Sequence, residues 1–139
     1  MQFTRRFTNK DKSPFDSLQY ETRTSVIRHQ EGSSASEEML VEAPVGWSQT
    51  AVDILAQKYL RRQDVPILDA QGKVMVDENG QAKTGPETSA KQIVDRLAGC
   101  WRYWGEQLNY FDSKEDAQIF YDEAAHMLLN QMAAPNSPQ

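Results

Sequence analysis

An apolar stripe in the last third of the chain constrains its fold more than any other feature. Between Thr88 and Gln139, the residues Ile93, Leu97, Trp101, Trp104 and Leu108 recur at spacings of 4, 4, 3 and 4. That is the period of one face of an α-helix. Phe120, Ala124, Met127, Leu128 and Gln131 mark a similar face on a following helix, with Met132 just beyond. Ala134-Pro135-Asn136-Ser137-Pro138-Gln139 then stops that helix, because proline has no amide hydrogen to donate and its ring crowds the preceding turn. A chain that ends just after its strongest motif reads as a piece of something larger.

The helix ends carry their own signals. Ser89-Ala90-Lys91-Gln92 is a capping box, in which the serine hydroxyl and the Gln92 amide satisfy opposite free backbone donors. Gly99 and Gly105 fall inside the same helix. Each weakens it by ~1 kcal/mol relative to alanine, and each allows close packing of another backbone or a helix end near Gly105. Asp112 or Ser113 caps the next helix, with Glu115 and Asp116 in a first turn that favours anions. Further upstream, Ser48 is an N-cap and Trp47 is placed to staple onto Val52. Ala51, Val52, Leu55, Ala56 and Tyr59 form the apolar face of that helix. Lys58, Arg61 and Arg62 sit near its C-terminal end, and Pro66 closes it.

Residues 1–19 lack sustained periodicity and read as an extended arm, with Phe3, Phe7 and Phe15 as its large apolar groups. Residues 20–29 are rich in Thr, Val, Ile and Tyr and predict a strand with Tyr20, Thr22, Thr24 and Val26 on one face. Glu31-Gly32-Ser33-Ser34 is a turn signal, and Met39-Leu40-Val41 a second short strand ended by Pro44. A lone hairpin of this kind needs a surface to lie on. Residues 67–86 break the helical pattern and read as a loop excursion, with a small hairpin around Lys73 to Asp77 as the competing form. The expected fold is therefore mainly α: a small helical domain of three main helices over 46–139, with a loop insertion at about 67–86. An extended arm at 1–19 and a short β-hairpin at 20–45 precede it.

At 139 residues this is one domain at most, with an arm or two. Hydrophobic residues make up 39% and mean hydropathy is -0.70, so part of the chain is arm or loop rather than core. A net charge of -5 argues against a nucleic-acid partner, since phosphates need a positive surface. The charge is uneven: residues 1–30 carry six Lys/Arg against three Asp/Glu, and residues 110–139 carry one against five. The basic N-terminal segment reads as a solvated arm. The single cysteine, Cys100, excludes an intrachain disulfide and a zinc cluster and fits a reducing, cytoplasmic setting. No apolar run approaches the ~18 residues of a membrane span, and no secretory signal follows Arg5 and Arg6.

Residue chemistry alone yields no active site. His126 has Asp122 at i−4 and Glu123 at i−3, a set that can bind a metal or act as an acid–base pair. No second histidine has ligand spacing, and surface pairing is the commoner role. Cys100 sits beside Trp101 as a core residue, and Trp101 with Trp104 reads as packing. Pro135-Asn136-Ser137-Pro138 presents a hydroxyl and an amide from a stiffened backbone, or is a plain helix stop.

Longer runs carry more. Arg5 to Thr8 (RRFT), Ser13 to Phe15 (SPF), Thr24 to Arg28 (TSVIR) and Gly46 to Arg62 (GWSQTAVDILAQKYLRR) form an ordered series. Glu87 to Glu106 (ETSAKQIVDRLAGCWRYWGE) and Asp116 to Gln139 (DAQIFYDEAAHMLLNQMAAPNSPQ) continue it. This series resembles the N-terminal region of adenosylcobalamin-dependent (class II) ribonucleotide reductases. The resemblance implies an enzyme that reduces ribonucleotides, with ribonucleoside diphosphates as the expected substrate, to deoxyribonucleotides for DNA synthesis. It implies adenosylcobalamin as the radical source, an active-site cysteine and a reducing cysteine pair, on a catalytic α/β barrel that follows a mostly helical N-terminal domain. By the same resemblance Ser137 is the one substrate-binding residue of this chain, while the catalytic residues and the cobalamin site lie beyond Gln139. The barrel, in the same chain or as a split subunit, is the expected partner, and the isolated chain is expected to be inactive. The competing reading is a non-catalytic helical adaptor that binds a protein through its aromatic stripes.

Overall fold

The structure is a computed structural model that describes residues 1–28 and 36–136. Two nine-residue strands, β1 (Tyr20–Arg28) and β2 (Ser36–Pro44), pair antiparallel from Tyr20↔Pro44 to Arg28↔Ser36. The predicted turn at Glu31 to Ser34 lies outside the described residues. β2 supplies the core: Val41 and Ala43 are fully buried, while Leu40, on the opposite face, points to solvent. On β1 the predicted face of Tyr20, Thr22, Thr24 and Val26 is half-buried at Tyr20 and exposed at the other three, and the buried residue is Ser25.

Each hairpin strand is tied to the neighbouring structure. On the β1 side, Gln49 donates to the Thr24 carbonyl (3.0 Å) and Ser25 Oγ donates to Asp53 (2.8 Å). On the β2 side, the Glu42 amide donates to the Thr88 carbonyl (2.8 Å). The hairpin thus lies between helices and completes their core.

Ser48 caps α1 (Gln49–Ile54) as its sequence predicts. The helix runs on through a π-helical turn, Leu55–Tyr59, closed by a Leu60 N–H to Leu55 C=O bond of 3.1 Å. The wider turn shifts the register, so that Val52, Leu55, Ala56 and Leu60 all reach one cluster. Extended backbone at Leu60 ends the helix, and Pro66 belongs instead to β3 (Val65–Pro66), paired with β4 (Thr84–Gly85).

The segment between β3 and β4, expected as a loop, is a hydrogen-bonded ribbon with an eight-residue repeat. The Ile67 amide donates to Lys83 C=O, the Lys83 amide to Met75 C=O, and the Met75 amide to Ile67 C=O, a closed triangle of 2.8–2.9 Å bonds. Asp69 and Asp77 each accept two backbone amides, and Gly72 and Gly80 take φ values of +78° and +77°. Glycine adopts that left-handed conformation without steric cost. At the ribbon's base Glu87, 3% exposed, receives the Arg96 guanidinium in a bidentate pair and also the Arg61 amide.

α2 (Ala90–Gln107) starts at the Ser89–Gln92 capping box, and α3 (Lys114–Leu129) starts at Ser113. Ile93 belongs to the core shared by the hairpin, α1 and α2. The next residue, Val94, joins Ala98, Ala125 and Leu129 in a second cluster between α2 and α3. On α3 the deepest residues are Ala117, Asp122, Ala125 and Leu129, not the Phe120-to-Gln131 stripe. The far half of the α2 stripe is left out as well: Trp104 is 56% and Leu108 59% exposed. Gly105 sits under the Phe111 ring, where a Cβ would lie 2.4 Å from a ring carbon, so glycine here admits a side chain.

The expectation of a mainly α domain is therefore corrected. The chain is 39% helix and 21% strand and is a mixed α/β fold. The hairpin is as long as a regular β-ladder, it carries core residues, and the ribbon adds further pairing.

Candidate functional site

The N-terminal arm is laid along α3 by polar contacts. The Met1 ammonium meets the Tyr110 carbonyl (2.5 Å) and Asp112 (2.6 Å). The Phe3 amide donates to Asp116 (2.9 Å), and Arg5 pairs with the buried Asp122 (2.7 Å). Glu123 accepts the consecutive amides of Arg6, Phe7 and Thr8 (3.0–3.2 Å) and the Thr8 hydroxyl (2.6 Å). Burial alone would raise the Glu123 carboxyl; the bonds from Thr8, Arg6 and Phe7 outweigh it and hold the group below the usual carboxylate range. The Ser113 hydroxyl, helped by the Phe3 amide, lowers Asp116 likewise. Phe3 packs edge-on against Phe111 and Phe120, and Phe7 stacks on His126 at 5.3 Å.

These contacts use up the candidate chemistry of α3. Asp122 and Glu123 face the arm, and His126 lies under Phe7, so the three do not converge on a common point. Among the described residues no group of three His, Cys, Asp or Glu could hold a metal ion. Cys100 is half-buried in α2. His29 and Ser137 lie outside the described residues.

An open apolar groove lies between α1, α2 and the end of α3. It has a volume of about 460 Å³ and is lined by Trp47, Ile54, Leu55, Leu97, Leu128 and Met132, with Ala133, Ala134 and Pro135 as one wall. The segment that leads to Ser137 is thus part of its rim.

The helix end beside this groove is tightly specified. The Met132 amide donates to Met127 C=O (2.9 Å) and the Gln131 amide to Leu128 C=O (3.2 Å), with Gln131 at φ +55°. That is a Schellman cap with glutamine in the left-handed position that glycine usually fills. The Leu129 carbonyl receives the Trp47 indole N–H at 2.8 Å. Trp47 is itself pinned: its amide donates to Pro44 C=O (3.0 Å), and its carbonyl accepts the Arg23 guanidinium. Sequence reasoning read Trp47 only as a staple for α1. Its indole N–H, which seeks an acceptor when buried, was the available signal for a longer reach.

These features define a mixed α/β unit with an open apolar groove beside the end of α3. A family model described as class II vitamin B12-dependent ribonucleotide reductase matches residues 21–131. The vitamin B12-dependent ribonucleotide reductase of Bradyrhizobium diazoefficiens is 41% identical over the whole chain, which covers 12% of that protein. The reductase of Agrobacterium fabrum is 37% identical over the whole chain, again 12% of the relative. That of Streptomyces clavuligerus is 36% identical over 90% of the chain, 11% of the relative. The chain belongs to the class II vitamin B12-dependent ribonucleotide reductase family and spans about 12% of the length of the relatives it matches.

Proposed function

We propose that this chain is the N-terminal support domain of an adenosylcobalamin-dependent ribonucleotide reductase, which reduces ribonucleoside diphosphates to deoxyribonucleotides in the cytoplasm. The observation that carries this reading is the uncovered apolar groove whose rim is the segment leading to Ser137, in a chain that spans 12% of its relatives. The groove and the exposed Trp104 and Leu108 receive the catalytic α/β barrel, and Ser137 contacts the ribonucleotide. In this reading the cobalamin is held by other residues of the whole enzyme. What this chain's residues do is bind and orient: the groove seats the barrel, and the α3 cap sets the path of the substrate-contacting segment.

The test is complementation. Residues 1–139, the remainder of the reductase and the whole reductase are each assayed for cobalamin-dependent ribonucleotide reduction. The expected result is no turnover by the 139-residue chain and restored turnover when the two parts are mixed. Turnover by residues 1–139 alone, or full turnover by the remainder alone, overturns the reading. The latter outcome would favour a non-catalytic adaptor that uses the same exposed aromatic face.

A further inference from the structure

We infer that the apolar stripe of α2 is the seat of one amphipathic α-helix, supplied by the remainder of the same reductase and lying along the stripe from Leu97 to Leu108. This rests on the proposed docking of the rest of the enzyme against this face, and it names the kind of element that docks.

Three observations converge. The first is that the stripe is one row. Ile93, Leu97, Trp101, Trp104 and Leu108 share one face of α2 and its C-cap, about 22 Å from end to end at 1.5 Å per residue. α1 and its π turn stop at Tyr59 and are shorter than the 18-residue α2. They cover the row at Ile93, which is buried; Leu97 lines the open groove, and Trp104 and Leu108 lie bare. The row therefore runs on from the groove as one open strip. The second is that this strip has no main-chain group to offer. The backbone of α2 is taken up in its own helix, and at its end the carbonyls of Trp104, Gly105 and Glu106 accept the amides of Leu108, Tyr110 and Asn109. An extended segment laid here would bury its amides and carbonyls without partners, at a cost for each. A helix satisfies its main chain internally and needs only an apolar row to lie on. The third is that the chain spans 12% of the length of its relatives. A helix from the rest of the enzyme arrives tethered, at an effective concentration that a free partner lacks.

The experiment uses the whole reductase, with the photoreactive residue p-benzoylphenylalanine in place of Leu97 or of Leu108. Attachment points are mapped by mass spectrometry, and unfolding midpoints are compared with that of the unchanged enzyme. Both positions are expected to attach to one segment of the remainder, at points about 11 residues apart. The two side chains lie about 16 Å apart along α2, and a helix rises 1.5 Å per residue. A spacing of about five residues is that of an extended strand and overturns the inference, as does attachment to two separate segments. Either result leaves the docking reading intact. No attachment to the remainder, or attachment only to a second copy of this chain, overturns the docking reading and the inference with it. If the change at Leu97 lowers the unfolding midpoint, Trp101 takes its place, with a spacing of about seven residues for a helix and about three for a strand.

Discussion

Along one side of α3 the N-terminal arm sets four backbone amides and a guanidinium against Asp116, Asp122 and Glu123. Along the other side Leu128, Met132 and the Ala133–Pro135 wall border an open apolar groove. The arm side is satisfied within the chain. Its carboxylates meet donors, and its aromatic rings Phe3, Phe111 and Phe120 meet one another. The groove side has apolar surface and few groups that could satisfy it locally. A short helix of small buried residues can serve both purposes because Ala117 and Ala125 bring it close to its neighbours. Polar clasping fixes the arm to α3, while the groove side leaves apolar area uncovered.

Breaking the arm side should be the most damaging change. Arg5→Ala leaves the Asp122 carboxylate buried beside Gln118 without its cation. It should cost about 3 kcal/mol in urea unfolding, the typical penalty for removing one partner of a largely buried pair. A loss under about 1 kcal/mol would mean that the arm lifts away and water takes its place.

Lowering the pH should weaken the clasp by a smaller amount. Glu123 and Asp116 have folded pKa values below their unfolded ones. Their stabilisation is therefore complete above the ordinary carboxylate pKa of about 4.3 and fades as pH falls through the lower folded values. Amide exchange at Arg6, Phe7 and Thr8 should be slow near neutral pH and, relative to intrinsic rates, accelerate in acid. Glu123→Gln should cost about 1–2 kcal/mol and flatten that dependence. A Glu123→Gln protein with an unchanged acid profile would place the effect elsewhere.

The exposed far end of the α2 stripe should show the opposite pattern. Trp104→Ser with Leu108→Ser removes exposed side chains and should shift the stability of residues 1–139 by no more than about 0.5 kcal/mol. The same pair should impair association with the remainder of the reductase in co-purification. A large loss of stability in the 139-residue chain would mean that this face already belongs to its core.

Local signals in the sequence were read well because they act over three or four residues. Ser48, Ser89 with Gln92, and Ser113 are helix caps in the structure as in the reading. The ribbon was legible in principle, since Asp69-x-x-Gly72 and Asp77-x-x-Gly80 repeat at a spacing of eight, but each turn viewed singly looks like a loop. The uneven charge by itself suggests a solvated arm. It reflects an intramolecular match, with Arg5 on Asp122 and Lys10 near Glu115. Periodicity named the wrong face of α3. It weighs large apolar residues, whereas close helix packing selects Ala117 and Ala125, and Asp122 is buried by virtue of its cation.

The sequence by itself determined where the helices begin and to which family their ordered runs are similar. Only the tertiary structure decided that the hairpin is part of the core, which sides of α2 and α3 are covered, and that Trp47 closes the end of α3. Caps and turns are made by neighbours in the chain, so their residues announce them. The choice of a buried face depends on partners far apart in sequence, as Phe3 is from Asp116 and Trp47 from Leu129, and no local pattern encodes which of them will meet.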